Sequence, residues 1–104
     1  VAVEGCEIAR NDWNGLTASD TKGLTVKDCL FEGNDTNGIL VDYLAHSSEN
    51  ILIENNIIQY NNGFGVKSSA AVNLVARNNT YVFNGKQKAQ EDISPEKRFE
   101  LEEL

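Results

Sequence analysis

The segment Ile53-Glu54-Asn55-Asn56-Ile57-Ile58 decides the fold, because it recurs. Three others align with it: Val3-Glu4-Gly5-Cys6-Glu7-Ile8, Val26-Lys27-Asp28-Cys29-Leu30-Phe31 and Ala76-Arg77-Asn78-Asn79-Thr80-Tyr81. In chain order the offsets are 23, 27 and 23 residues. Each copy has an asparagine three residues beyond its end (Asn11, Asn34, Asn61, Asn84) and an aliphatic residue two before its start (Val1, Leu24, Ile51, Leu74). Gly15, Gly38 and Gly65 come four residues after the asparagine, each followed by an aliphatic residue. A period of roughly 20 to 50 residues marks a solenoid, a propeller or an array.

The local period decides among these. Leu24/Val26, Ile51/Ile53 and Leu74/Ala76 alternate apolar with polar, and Leu16/Ala18, Ile39/Val41 and Val66/Ser68 do so again after the glycine. Alternation of this kind belongs to strands. Helix pairs are excluded by the density of asparagine and glycine. The repeats therefore predict an all-β chain: a parallel β-helix of about four coils over residues 1–85, each coil stacked on the next at roughly 4.8 Å. Stacking turns columns of the alignment into neighbours. Asn11, Asn34, Asn61 and Asn84 become a ladder of amides, and asparagine also tolerates left-handed backbone at turns. Cys6, Cys29, Asn56 and Asn79 make a second column. Ile8, Phe31, Ile58 and Tyr81 make an apolar stack. Glu4, Lys27, Glu54 and Arg77 make an outward column of alternating charge.

Composition sets the outer limits. The chain has 104 residues and 40% hydrophobic content, the size of one small domain or a piece of a larger protein. A formal charge of -7 argues against nucleic acid, whose binding needs a basic surface. No apolar run reaches the roughly 18 residues of a membrane span, and no targeting segment is legible at Val1. Thirteen asparagines, all before residue 85, accompany a single proline.

One coil is longer than the others. Ile39 to Ile53 spans 14 residues where Leu16 to Val26 and Val66 to Ala76 each span 10, so four extra residues lie in Asp42–Asn50. Insertions in solenoids project from one face and often form the binding face. Residues 86–104 form a charged tail, in which Ser94-Pro95-Glu96 predicts a short helix. Val1 already stands in a core column, so the first coil is expected to pack on an upstream segment or on another copy of the chain.

Several residues are candidates for chemistry. Asp42 and Lys67 point outward from adjacent coils and are placed to line a groove floor, or to form an ordinary solvated face. His46, the single histidine, falls in the insertion, as a base or as a plain loop residue. Trp13 follows Asn11 in a turn, either as a sugar-binding face or as a packed turn residue. Cys6 and Cys29 stack on adjacent coils. Their aligned Cβ vectors suit a disulfide poorly, so two buried free thiols are expected. No zinc spacing or nucleophile motif is present. Asp12, Asp35 and Asn62 share a column that offers oxygens for a cation such as calcium.

The coil pattern over residues 1–85 resembles the right-handed parallel β-helix repeats of the pectate-lyase-like superfamily. Within it, Gly38-Ile39-Leu40-Val41-Asp42-Tyr43-Leu44-Ala45-His46-Ser47 resembles the Asp-Tyr-Leu segment of secreted mannuronan epimerases. The following coil, through Asn61 and Gly65-Val66, continues that resemblance, as does Arg77–Gly85. The resemblance implies a carbohydrate-active protein at the cell surface or outside the cell, epimerase-like or lyase-like on an acidic polysaccharide, with calcium assisting in many members. It places Asp42 in the substrate groove as the catalytic candidate, with Tyr43, His46, Lys67 and Trp13 as binding candidates. The family's Asp-Pro-His segment falls on Leu16-Thr17-Ala18, and a family histidine falls on Phe64. This segment is therefore expected to supply scaffold and groove wall. The alternative is a non-catalytic binding, adhesion or structural module. An anionic sugar would need local cations, for which Arg10, Lys22 and Lys67 are available, or bridging calcium.

Overall fold

The computed structural model describes residues 1–42, 44–69, 71–85, 91–93 and 100–101. Thirteen short strands follow one another. They are β1 (Ala2–Glu4), β2 (Glu7–Ala9), β3 (Leu16–Ser19), β4 (Lys22–Lys27), β5 (Leu30–Glu32), β6 (Ile39–Asp42) and β7 (Glu49–Glu54). After them come β8 (Ile57–Gln59), β9 (Val66–Ser68), β10 (Val72–Arg77), β11 (Thr80–Val82), β12 (Glu91–Ile93) and β13 (Glu100–Leu101). Every pairing is parallel, and each strand pairs with the third strand along the chain. Sheet A is β1-β4-β7-β10-β13, sheet B is β2-β5-β8-β11 and sheet C is β3-β6-β9-β12. The chain thus winds A, B, C, A, and so on, as a three-sided parallel β-helix. Among the described residues no helix is long and apolar enough to cross a membrane.

The register is the one set by the repeat. Leu24 faces Ile51 and Ile51 faces Leu74 in sheet A; Ile8, Phe31, Ile58 and Tyr81 align in sheet B; Leu16, Ile39 and Val66 align in sheet C. All three sheets point one row of side chains inward, so Val26, Phe31, Ile39, Val41, Ile53, Ile58, Val66 and Leu74 are wholly buried. The outward charge column is also in place. Glu4 faces Lys27, Lys27 faces Glu54 and Glu54 faces Arg77, whose Nε donates to Glu54 at 2.8 Å.

Asparagine solves the problem of the corners. At each corner most backbone N–H groups still reach a neighbouring coil's carbonyl, but one is bonded by a side chain instead, and a buried unpaired N–H is costly. At the B–C corner the N–H of Asn34 donates to Asn61 Oδ1 at 2.9 Å, and Asn34 Nδ2 donates to the same oxygen at 2.8 Å. The unit repeats from Asn11 to Asn34 and from Asn61 to Asn84. Each amide also reaches back to the previous coil: Asn34 to Ile8, Asn61 to Phe31 and Asn84 to Ile58 carbonyls. The A–B corner uses the same device, where Asn56 Oδ1 accepts from the Cys29 N–H and Asn79 Oδ1 from both Asn56 N–H and Nδ2. The ladders replace missing rungs of the backbone ladder.

One expectation falls largely outside the described residues and another needs correction. The helix expected from Ser94-Pro95-Glu96 begins outside the described residues, and within its span Glu100–Leu101 is a strand paired with Val75–Ala76. The two thiols are free, but only Cys29 is buried; Cys6 is exposed. Cys29 lies between coils and its Sγ donates to the Lys27 carbonyl at 3.2 Å, whereas coil 1 has nothing stacked beyond Cys6 among the described residues.

Ser68 is the one buried side-chain polar group without a partner among the described residues. It stands inward in sheet C beside Val41, in a column otherwise apolar. Removing an unsatisfied buried hydroxyl is favourable by about 1 kcal/mol. Ser68→Ala is therefore expected to raise the Tm by about 4 °C, read by thermal denaturation; a fall would show that the hydroxyl is bonded.

Candidate functional site

Sheet C presents the outer face on which the candidates converge. Alternation along β6 turns Ile39 and Val41 inward, so Leu40 and Asp42 face out; along β9 it turns Val66 and Ser68 inward and Lys67 out. Leu40 is the register partner of Lys67. Asp42, two residues on, is therefore the diagonal neighbour of Lys67 on the next strand, within reach of a long side chain. The Lys67 ammonium lies 5.3 Å from the centroid of the Phe64 ring, a cation–π contact. Carboxylate, ammonium and aromatic ring thus share one face across two coils.

The inserted loop borders this face. Between β6 and β7 it takes residues 43–48, where β3 and β4 are joined by residues 20–21 alone. Asp20, on the shorter connection, holds it. Its carboxylate accepts the backbone N–H of Leu44 at 2.8 Å, of Ala45 at 3.1 Å and of His46 at 3.3 Å. Successive N–H groups pointing at one anion form a nest. Ser48 holds the other end: it is buried, accepts the Thr21 N–H at 3.1 Å and donates to the Asp42 carbonyl at 3.2 Å. The Asp42 carbonyl and the backbone of residues 44–46 are therefore both held.

The Leu44 N–H, foremost among these donors, draws the Asp20 carboxyl below its ordinary value of 3.8. A depressed carboxyl contributes its stabilisation at pH above the unfolded value and loses it as the pH falls through the lower, folded one. The amide proton signals of Leu44, Ala45 and His46 are accordingly expected to titrate together at a pH below 3.8. Titration of the three at higher pH, or independently, would sink the nest assignment.

The candidate residues separate into groups. Asp42 and Lys67 come together as expected. His46 sits on the bordering loop, exposed, its backbone N–H donating to Asp20. Trp13 is 78% exposed, which favours the open face over the packed turn. It stands on the first coil, three residues ahead of β3, as Phe64 stands two ahead of β9. Tyr43 lies outside the described residues. Lys22 approaches Glu49 at 3.8 Å, whereas Arg10 has no ion pair among the described residues. In the Asp12/Asp35/Asn62 column, Asn62 turns its Nδ2 toward Asp35 at 3.4 Å. That hydrogen bond links the second and third members of the column. Among the described residues no group of three or more His, Cys, Asp and Glu is gathered to hold a metal ion.

Sequence reasoning passed over four participants. Phe64 was read only as the place of a missing histidine, and its spacing before Lys67 carries the cation–π pair. Asn14 and Asn37, 23 residues apart, form a further amide pair ahead of sheet C: Asn14 Oδ1 accepts from Asn37 N–H and Nδ2, both at 3.1 Å. That pair was legible from the repeat. Asp20 was not, because its partners lie in the one segment where the repeat is broken.

Comparison with known families gives one result. The family described as the right-handed β-helix region matches residues 1–90. No curated protein and no solved structure matches the chain significantly. With parallel strands in threefold succession and amide ladders at the corners, the chain belongs to the right-handed β-helix family.

Proposed function

We propose that the chain is part of a carbohydrate-active β-helix protein working on an acidic polysaccharide at the cell surface or outside the cell, with this segment as scaffold and groove wall. The observation that carries the reading is the outer face of sheet C, where Asp42 and Lys67 are diagonal neighbours and Phe64 lies against Lys67. An ammonium takes a sugar carboxylate, an aromatic ring takes the apolar face of a pyranose, and a nearby carboxylate is placed to accept a proton from the carbon beside the sugar's carboxyl group. Removal of that proton opens both epimerase-like and lyase-like chemistry.

A second reading has its own support. The outward position one coil before Leu40 is Thr17, and the next residue, Ala18, is buried in the core. Neither supplies a partner acid for Asp42. A module that binds the polysaccharide without turning it over fits that arrangement.

Incubation with alginate and with pectate, with and without calcium, separates the readings when anomeric proton signals are followed by NMR. New sugar signals identify an epimerase, and unsaturated-product signals a lyase. Binding with unchanged signals leaves the binding module. Lys67→Gln is expected to weaken binding about tenfold, and Asp42→Ala to abolish any turnover. Wild-type binding by both variants would remove the groove from sheet C.

A further inference from the structure

The corner between sheets B and C carries side chains that its backbone does not favour. Each coil has a single left-handed residue there: Arg10 (φ 56), Gly33 (φ 69), Tyr60 (φ 57) and Phe83 (φ 49). The same molecule shows what suits such a position. The left-handed column at the A–B corner is Gly5, Asp28, Asn55 and Asn78, and that at the second residue of the sheet A strands is Gly23, Asn50 and Asn73. All seven are Gly, Asp or Asn, the residues that adopt this region at least cost. Bulky residues held there are outliers, and such strain gathers where a side chain serves something other than stability.

Tyr60 and Phe83 gain little from the fold in return. Both are more than half exposed, and their rings stack at 6.0 Å between centroids and 26° between planes. Two stacked aromatic rings on successive coils thus stand largely in solvent along the solenoid axis. In the same column Gly33 leaves an open step, over which the Arg10 stem leans: a Cβ on Gly33 would lie 3.6 Å from Arg10 Cγ. The column therefore reads cation, gap, ring, ring. Of the two carboxylates flanking Gly33, Glu32 accepts from Gln59 Nε2 at 2.6 Å and Asp35 from Asn62 Nδ2 at 3.4 Å.

We infer that this corner is a second saccharide-binding surface, on which Tyr60 and Phe83 carry the apolar ring faces of an acidic polysaccharide lying along the axis and Arg10 takes one of its carboxylates. The inference rests on the acidic-polysaccharide reading above but uses a different face of the molecule. Aromatic rings supply contact area at small entropic cost, and coils about 4.8 Å apart present them at a regular step. Arg10 offers a planar fork for a carboxylate.

The test is calorimetric titration with oligogalacturonate of the wild type, Tyr60→Asn/Phe83→Asn and Lys67→Gln, with the Tm of each. Asparagine suits left-handed backbone, so the double variant is expected to keep or raise its Tm while binding at least about tenfold more weakly. Arg10→Gln is expected to weaken binding about threefold to fivefold, less at high salt. Unchanged binding by the double variant, with Lys67→Gln weakened, would overturn the corner surface and leave the sheet C groove standing. A Tm lowered by more than about 5 °C would also overturn it, as the rings would then be structural. If the wild type binds neither oligogalacturonate nor oligoalginate, the corner falls together with the proposed function.

Discussion

Asn61→Ala is expected to destabilise the protein by about 4 kcal/mol, a large part of what a domain of this size possesses. The Asn61 side chain is 2% exposed and makes four hydrogen bonds. Its oxygen accepts from Asn34 N–H at 2.9 Å and Asn34 Nδ2 at 2.8 Å, and its Nδ2 donates to Asn84 Oδ1 at 2.8 Å and the Phe31 carbonyl at 3.2 Å. Alanine leaves the Asn34 N–H unpaired in a dry interior, at roughly 1–3 kcal/mol, takes a second donor from the Phe31 carbonyl, and opens a cavity that costs about as much again. Aspartate does not repair the site. It accepts from Asn34 but has nothing to donate to Phe31, and it buries a charge.

Asn11→Ala is the matched control. Asn11 is exposed at the end of the same ladder and donates to Asn34 without accepting from a further coil among the described residues. Its loss is expected to be under about 1 kcal/mol. Urea denaturation of both variants decides the matter. Equal losses would mean that the ladder is a consequence of coil stacking and contributes little to it.

The ladder also shows what was legible in the sequence. Offsets of 23, 27 and 23 residues placed Asn61 between Asn34 and Asn84 before any contact was known. A β-helix writes its lateral contacts at a fixed spacing along the chain, so columns of an internal alignment are neighbours in space. The core rows, the charge column ending in Arg77–Glu54 and the outward placement of Asp42 and Lys67 follow from that one relation. The same relation fails where the period breaks. Asp20 holds Leu44–His46, and Ser48 bridges Thr21 to Asp42, inside the four-residue insertion. No column predicts contacts there. The tail lies beyond the last column of the repeat. Ser94-Pro95 reads as a helix start on local grounds, but the fate of Glu100–Leu101 is set by the edge of β10, some 25 residues away.

Function was less legible than fold because the chemical groups are not periodic. Asp42 has Ser19 as its partner on the preceding coil, and Lys67 has Leu40. Each stands once in its column, so repetition offers no check on it. The B–C corner lies between these cases: its backbone is periodic, and only the choice of Tyr60 and Phe83 at left-handed positions sets it apart. Backbone geometry was needed to see that those aromatics are out of place.

Gly38→Ala is expected to cost about 3 kcal/mol, a fall in Tm of about 12 °C or more, although the substitution adds one methyl group. Gly38 is buried ahead of β6 and does not use left-handed backbone, so alanine's conformational preference raises no objection. The objection is axial contact. A Cβ there would meet the Gly65 carbonyl oxygen at 2.7 Å, Ile58 Cγ2 at 2.8 Å and Asn61 Nδ2 at 3.1 Å. None of these yields easily. The Gly65 oxygen accepts the Ile39 N–H at 2.8 Å, the rung that opens sheet C, and Ile58 and Asn61 are buried. Gly5→Ala isolates the alternative cause. Gly5 is left-handed at φ +63 with nothing within 4 Å of its Cβ position, so alanine there meets only a backbone penalty of about 1 kcal/mol. Comparable losses at the two sites would show that close stacking of coils is not what excludes a side chain at Gly38. The expected difference reaches the candidate site as well. Gly38 leads into the strand that carries Asp42, and Gly65 into the strand that carries Lys67. Forcing the two apart changes the offset between carboxylate and ammonium. Gly38→Ala should therefore weaken polyuronate binding under conditions where the variant remains folded, whereas Gly5→Ala should bind as the wild type does.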